Sequence, residues 1–410
     1  MMYNLFLKKL FTYPIAILSL VIYIYFLKIN FLPFYLIIPY FLLGSVVFFY
    51  EVLDKKIVKK YFYYFIFVLL SFIWALFSYV YNSYSDLYYI KETLLIGLIY
   101  FFSAFGIKKI FNFLDLDFNF EGVLKFSILA VLFQLLISLF ANLFPTILSF
   151  FISIFNIDGL SLEAMNSFME ARFVGIGASF FGSGVITSFF LILLSFFINQ
   201  YCKGRRYLLY FFIYMFFVVV GLLFSRTTII GVLLSFIFFL NSKNIVKCVI
   251  IIFPMLFLSF FVIKGLFSIN EKFSFGFDFL FNFKNSQASS SVGDLAEMYK
   301  VTPENIETWF FGDSKYKNFS NGDFIGYYKD TDIGYFRIIF SNGIVGLFIF
   351  ILLNIYLLFK SFPNKFLFLL LFLCLLILNV KGVAHVYFFS FLFFVINNPN
   401  QLNFRERKPI

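Results

Sequence analysis

The chain is poor in the residues from which metal centres and disulfide frameworks are built. It has one histidine and three cysteines in 410 residues. A single imidazole argues against a zinc or iron centre. Cys202, Cys248 and Cys374 are odd in number and scattered without ligand spacing, which leaves no disulfide framework and no thiolate metal site. Charge is equally scarce: Asp, Glu, Lys and Arg make up 13% of the chain, where soluble domains carry about a quarter. Neither glycine-rich stretch, "GIGASFFGSG" (175–184) or Gly343/Gly346, is followed by a lysine or preceded by a strand, so no nucleotide loop is present.

What is abundant is apolar. Hydrophobic residues are 62% of the chain, with 73 Phe, an excess that fits AT-rich codon usage better than 73 functional aromatics. Apolar runs of about 18 or more residues recur from end to end, the mark of membrane-spanning helices. The pattern predicts an all-α polytopic membrane protein. About twelve spans are expected, near 10–27, 31–50, 61–81, 87–106, 122–144, 174–198, 207–224, 226–241, 244–263, 334–359, 365–380 and 383–397. The first apolar stretch is too long for a signal peptide and lacks a small-residue cleavage site, so it reads as a span.

The net charge of +11 sets topology and does not point to nucleic acid. Lys8 and Lys9, "EVLDKKIVKK" (51–60), "IKKIFNF" (107–113), "NQYCKGRR" (199–206), "NSKNIVK" (241–247), Lys360 with Lys365, and "RERK" (405–408) fall on one side of the predicted spans. Positive loops stay cytoplasmic, which puts both termini inside, with a cytoplasmic tail over 398–410. The remaining loops face outward. Two are long, 145–172 and 264–333; the second holds seven Lys, no Arg and ten Asp or Glu. It predicts a partly helical external cap, with Thr302 as N-cap and Pro303 at the first helical position. The chain reads as one integral membrane domain, 1–410.

Charges near lipid are expensive, so those at the outward ends of spans need a reason. They are Arg172, Arg226, Arg337, Lys381 and His385. Each alone fits snorkelling to headgroups. Together they gather cations on a face otherwise poor in them, and Arg has a planar fork suited to phosphate oxygens. Carboxylates accompany them: Glu170, Asp313, Asp330 and Asp332. Lys91 and Glu92, a turn inside the fourth span, read as structural. Gly343 and Gly346 read as sites of close helix crossing, and "WFFGD" (309–313) as a turn returning the loop to the membrane.

Four stretches in order carry a resemblance: "ARFVGIGASFFGSG" (171–184), "FSRTTIIGVLL" (224–234), "WFFGDSKY" (309–316) and "TDIGYFRIIFSNGIVGLFIF" (331–350). With the span pattern and the long loop before the last three spans, the chain resembles the bacterial O-antigen polymerase (Wzy-type) family. That family is grouped with O-antigen ligases and, more remotely, with SEDS-type glycosyltransferases. The resemblance implies a GT-C-like or SEDS-like membrane glycosyltransferase in the bacterial inner membrane with its active site facing outward. It implies polymerisation of repeat units carried on polyprenyl (undecaprenyl) diphosphate, with no cofactor and no metal, and a chain-length regulator as a possible membrane partner. Arg172, Arg226, Arg337 and Lys381 would bind the diphosphate; Asp332, then His385, would serve as base. The chain departs from the family in having no Arg in the long loop, where Lys300 is nearest by position, and in the Arg172-to-glycine spacing. An O-antigen ligase has the same architecture, and a lipid-linked oligosaccharide flippase has a similar number of spans; both stay open at this stage.

Overall fold

A computed structural model describes residues 2–54, 59–82, 86–155, 173–178, 180–240, 297–320 and 323–396. Most of these residues are helical. The elements are α1 (Met2–Tyr25), α2 (Ile38–Leu53), α3 (Lys59–Tyr81), a π-helical turn (Ile90–Leu95) running into α4 (Ile96–Phe113), α5 (Phe120–Leu143), α6 (Pro145–Ile154), α7 (Phe180–Tyr201), α8 (Arg205–Phe224) and α9 (Thr228–Leu240). Then come a short α10 (Ile306–Phe311), an antiparallel hairpin of β1 (Lys317–Ser320) and β2 (Asp323–Tyr327), α11 (Gly334–Ser361), α12 (Lys365–Leu378) and α13 (Tyr387–Phe394). Among the described residues six helices are long and apolar enough to cross a membrane: Lys59–Tyr81, Thr93–Phe113, Phe120–Leu143, Phe180–Tyr201, Arg205–Phe224 and Gly334–Ser361. Five shorter apolar helices accompany them. The span expected at 244–263 lies outside the described residues.

The centre of the bundle is α7. Phe189 to Leu194 have no exposed surface, and α8, α9, α12 and α5 surround this helix. Lipid is as apolar as Leu, so helices in it associate by close packing at small residues. A Cβ at Gly44 of α2 would lie 1.8 Å from the Phe102 carbonyl oxygen of α4, and one at Gly106 of α4 would lie 2.3 Å from the Tyr40 carbonyl. The α7–α9 crossing is closed in the same way by Gly231 against Ser188.

Several predicted spans start late. The second begins at Ile38, because residues 28–35 form a bridge between Lys28 and Tyr35 and another between Ile29 and Phe155. The sixth begins at Phe180, and the last is helical only over Tyr387–Phe394. The cap contains a hairpin that the helical periodicity did not announce. Its helix starts at Ile306 with Asn305 in the N-cap position, so Thr302 is not the cap.

Candidate functional site

Four irregular segments among the described residues meet at one end of the bundle. Phe173 packs edge-on against Phe224, the last residue of α8, at 6.2 Å. A Cβ at Gly184 of α7 would lie 1.9 Å from Thr227 Oγ1 in the α8–α9 turn, and one at Gly382 would lie 2.7 Å from the Phe181 ring. A Cβ at Gly334, where α11 begins, would lie 2.4 Å from the Gly382 carbonyl oxygen. Segments 173–178, 225–227, 331–337 and 379–386 therefore form one crown. The lysine-bearing turns lie at the other ends of the same helices.

The crown is organised around a broken helix. Within α11, Gly343 has φ 66°, so the helix stops at Asn342 and restarts at Ile344. A side chain is strained at that φ. A Cβ there would also lie 2.0 Å from the Phe310 carbonyl oxygen. Gly343 thus accommodates the α10 turn rather than a crossing helix. The turn brings its own left-handed glycine, Gly312 (φ 75°), whose Cβ would lie 2.6 Å from the Asn342 nitrogen. Carbonyls freed by the break and by the turn must find donors, because lipid offers none. The end of α3 supplies them. Trp74 Nε1 donates to the Asn342 carbonyl (2.8 Å), and Ser78 Oγ reaches the carbonyls of Phe311 (2.7 Å) and Ser341 (3.1 Å). Asn82 Nδ2 donates to the Gly312 carbonyl at 3.1 Å. Asp313 accepts from Thr308 Oγ1 at 2.7 Å, a bond that closes the turn.

Arg337 sits against the hairpin, in the first turn of α11, and is 9% exposed. Its Nη2 donates to Tyr316 Oη at 2.8 Å. The guanidinium carbon lies 3.3 Å from the Tyr327 ring centroid and 4.7 Å from that of Tyr316. These contacts supply cation–π attraction. Among the described residues it has no carboxylate within ion-pair distance, and its buried Nε has no hydrogen-bond partner. Tyr316 is held by Asp86, whose Oδ2 accepts from the Tyr316 backbone N–H (2.9 Å) while Oδ1 accepts from that of Tyr88 (3.0 Å). Arg337 is therefore packed inside the protein, not extended along its surface to a headgroup.

The other predicted residues are placed as follows. Asp332 is exposed at the mouth of α11. Asp330 is exposed too, and with Lys329 it forms a pair of left-handed non-glycine residues (φ 53° and 57°), a conformation that costs about 1–3 kcal/mol each. Lys381 and His385 lie half-buried in segment 379–386. His385 stacks on Tyr387 at 4.5 Å and 17°, and its Nδ1 is buried without a partner. Arg226 lies half-buried in the α8–α9 turn, beside the buried Ser225 and Thr227. Arg172 and Glu170 lie outside the described residues, although Phe173, next to Arg172, is seated on α8. Lys91 is exposed in the π-helical turn, 5.5 Å from the Tyr88 ring centroid; such turns are over-represented at functional sites.

Sequence reading missed the buried amides. Asn142 accepts from the Val174 N–H (2.9 Å) and donates to its carbonyl (2.8 Å), while Ser138 Oγ accepts from the Ile176 N–H (3.0 Å) and Gln134 donates to the Ile176 carbonyl. Asn379 pairs with both backbone groups of Ala384, and Asn354 accepts from the Val386 N–H at 3.1 Å. Asn354 is wholly buried, mid-way along a membrane-length helix. The available signal was an Asn, Gln or Ser in the middle of an apolar run; none of these side chains carries a charge to draw notice. Far from the crown, a cavity of about 550 Å³ is lined by residues including Tyr13, Asp115, Asp117, Glu121 and Lys125 and contains none of the predicted site residues.

No family model, curated protein or solved structure matches the chain.

Proposed function

We propose that the protein is a membrane glycosyltransferase that polymerises repeat units carried on polyprenyl diphosphate at the outer face of the inner membrane. In this reading the chain crosses the membrane about twelve times, the lysine-bearing turns are cytoplasmic and the crown faces outward. One observation carries it: Arg337 is buried with no carboxylate partner among the described residues. An unpaired buried charge is costly, and an anion brought by a substrate relieves that cost. The Tyr327 and Tyr316 rings lie against the guanidinium and Tyr316 Oη takes one of its N–H groups, while the buried Nε has no hydrogen-bond partner among the described residues and suits a phosphate oxygen.

The reaction joins a hydroxyl of the acceptor repeat unit to the anomeric carbon of the donor glycan. The C–O bond to the lipid diphosphate breaks, and the diphosphate leaves with the bonding electrons. Arg337, Arg226, Lys381 and Arg172 stabilise the charge that develops there. Asp332 takes the hydroxyl proton, with His385 as the second choice. The partners are the two lipid-linked glycans, the bilayer and a chain-length regulator.

Deleting the gene and resolving surface glycan by gel electrophoresis tests the reading. Loss of long chains with single repeat units still attached supports a polymerase. Loss of all attached glycan overturns it in favour of a ligase or flippase. Arg337→Ala should abolish chain extension in protein that still inserts, and Arg337→Lys should not restore it, since Lys lacks the planar fork.

A further inference from the structure

The cap helix α10 has an exposed apolar face. Ile306 is 75% exposed and Phe310 51%. They are four residues apart and so share one side of the helix, with the half-buried Trp309 at its edge. The rest of the helix is committed to the protein or to water. Phe311 packs on α3, its ring centroid 5.1 Å from Tyr81, 5.7 Å from Phe77 and 6.1 Å from Trp74. Thr308 is bonded to Asp313, and Glu304 and Glu307 are exposed.

The depth of this contact follows from α3, an apolar helix of membrane length that rises from the lysine-rich end. At 1.5 Å per residue, Trp74 stands about 22 Å above Lys59 and Tyr81 about 33 Å. The hydrocarbon core of a bilayer is about 30 Å thick, so Phe311 is clasped where hydrocarbon gives way to headgroups. The α3 flank beside it is bare as well: Phe77, Val80 and Tyr81 are all exposed. Trp and Tyr favour this boundary, where the ring body is in an apolar setting and the polar tip is wet; Trp74, Tyr81 and Trp309 gather there.

We propose that α10 lies in the surface of the bilayer, with Ile306, Trp309 and Phe310 set among the headgroups and upper acyl chains. Interfacial helices bury an apolar face at that level and keep their charges in water. Lipid is the occupant because the face adjoins the exposed flank of a membrane-length helix at the depth where that helix leaves the hydrocarbon. The contact reaches the crown through the backbone. Gly312, which follows α10, is seated on the α11 break, and Ser78 and Asn82 hold this turn by the carbonyls of Phe311 and Gly312. The bilayer surface thereby sets the height of the break, and with it that of Arg337 on the same helix. The inference rests on the chain crossing a membrane and on no reaction at the crown.

Spin labels on the full chain in lipid nanodiscs test it. Nitroxides on Ile306→Cys and Phe310→Cys should be relaxed more by oxygen, which concentrates in lipid, than by an aqueous nickel chelate. One on Glu307→Cys should show the reverse, with the ratio shifted several-fold. The unsubstituted chain, labelled alongside, supplies the background from its native cysteines. If the nickel chelate dominates at the first two sites, the face is in water; if neither reagent reaches them, protein covers it. Either result overturns the proposal. The chain's two Trp give a second measurement. Lipid brominated near the headgroup end of its acyl chains should quench the share of emission that is lost in Trp309→Phe. Quenching of that share by aqueous iodide instead would refute a lipid-seated helix. Neither readout involves glycan transfer, so the proposed function can fail while this inference stands.

Discussion

The two ends of the bundle solve the same problem in different ways. Both must reverse the chain and satisfy the backbone groups that helices leave free. At the lysine-rich end local caps are joined by lysines that reach across to other helices. Asn119 accepts from Gly122 N–H (2.8 Å) and Asn364 from Leu367 N–H (2.9 Å), each three residues ahead. Lys108 pairs with Glu51 at 2.7 Å. Lys60 donates to the carbonyls of Phe394 and Ile396 at the end of α13, where a cation suits the helix dipole. At the crown the partners are remote in sequence: Asn142 and Val174 are 32 residues apart, Ser78 and Phe311 are 233, and Trp74 and Asn342 are 268. Both ends need helices distant in sequence to pack, since Lys60 and Phe394 are 334 residues apart, but the crown alone uses such bonds to satisfy carbonyls freed by a helix break and its neighbouring turn. That makes it a place where buried cations and non-helical backbone can be held in fixed geometry.

Substitutions that spare one end and damage the other sharpen this contrast. The largest loss is expected for Gly343→Ala, which combines a left-handed φ with a clash against the Phe310 carbonyl. We expect about 3 kcal/mol or more, read as a fall in melting temperature in detergent and as faster proteolysis of the 297–333 cap. Next comes Asn142→Ala, which orphans the N–H and carbonyl of Val174; about 2–3 kcal/mol is expected, with faster amide exchange over 173–178. Gly204→Ala at the lysine-rich end is the matched control for Gly343. Its φ is 54°, but nothing lies within 4 Å of the added Cβ, so only the backbone cost of about 1–2 kcal/mol applies. A Gly204 variant as unstable as the Gly343 variant would mean that the clash contributes nothing. The smallest effect belongs to Lys108→Ala, which breaks the pair with Glu51; under about 1 kcal/mol is expected, and less at high salt.

Legibility from sequence follows the same division. Apolar runs located most of the helices, because a lipid-facing helix carries its signal in its own residues. The lysines marked one set of ends. At the crown, the settings of the residues that drew notice were not readable. Arg337 was grouped with the diphosphate-binding cations, with extension toward headgroups as the alternative, but its tyrosine clamp was not foreseen, because Tyr316 and Tyr327 sit at the base of a hairpin that period-3.6 reasoning passed over. Gly343 looked like a crossing site, since a glycine that breaks a helix and one that packs against another helix are identical in one dimension. Asn354, Asn379 and Asn142 drew no notice because an uncharged amide in an apolar run is an ordinary sight.

By itself, then, the sequence determined that this chain is a bundle of apolar helices whose short lysine-bearing turns lie at one set of ends. Those properties are sums over consecutive residues, and no partner is needed to express them. Only the tertiary structure decided that α11 breaks at Gly343, that Arg337 is buried between tyrosines, and that segments 173–178, 225–227, 331–337 and 379–386 share one crown. The break and the crown depend on buried backbone groups finding partners on helices tens to hundreds of residues away, and the burial of Arg337 depends on tyrosines brought to it by the hairpin.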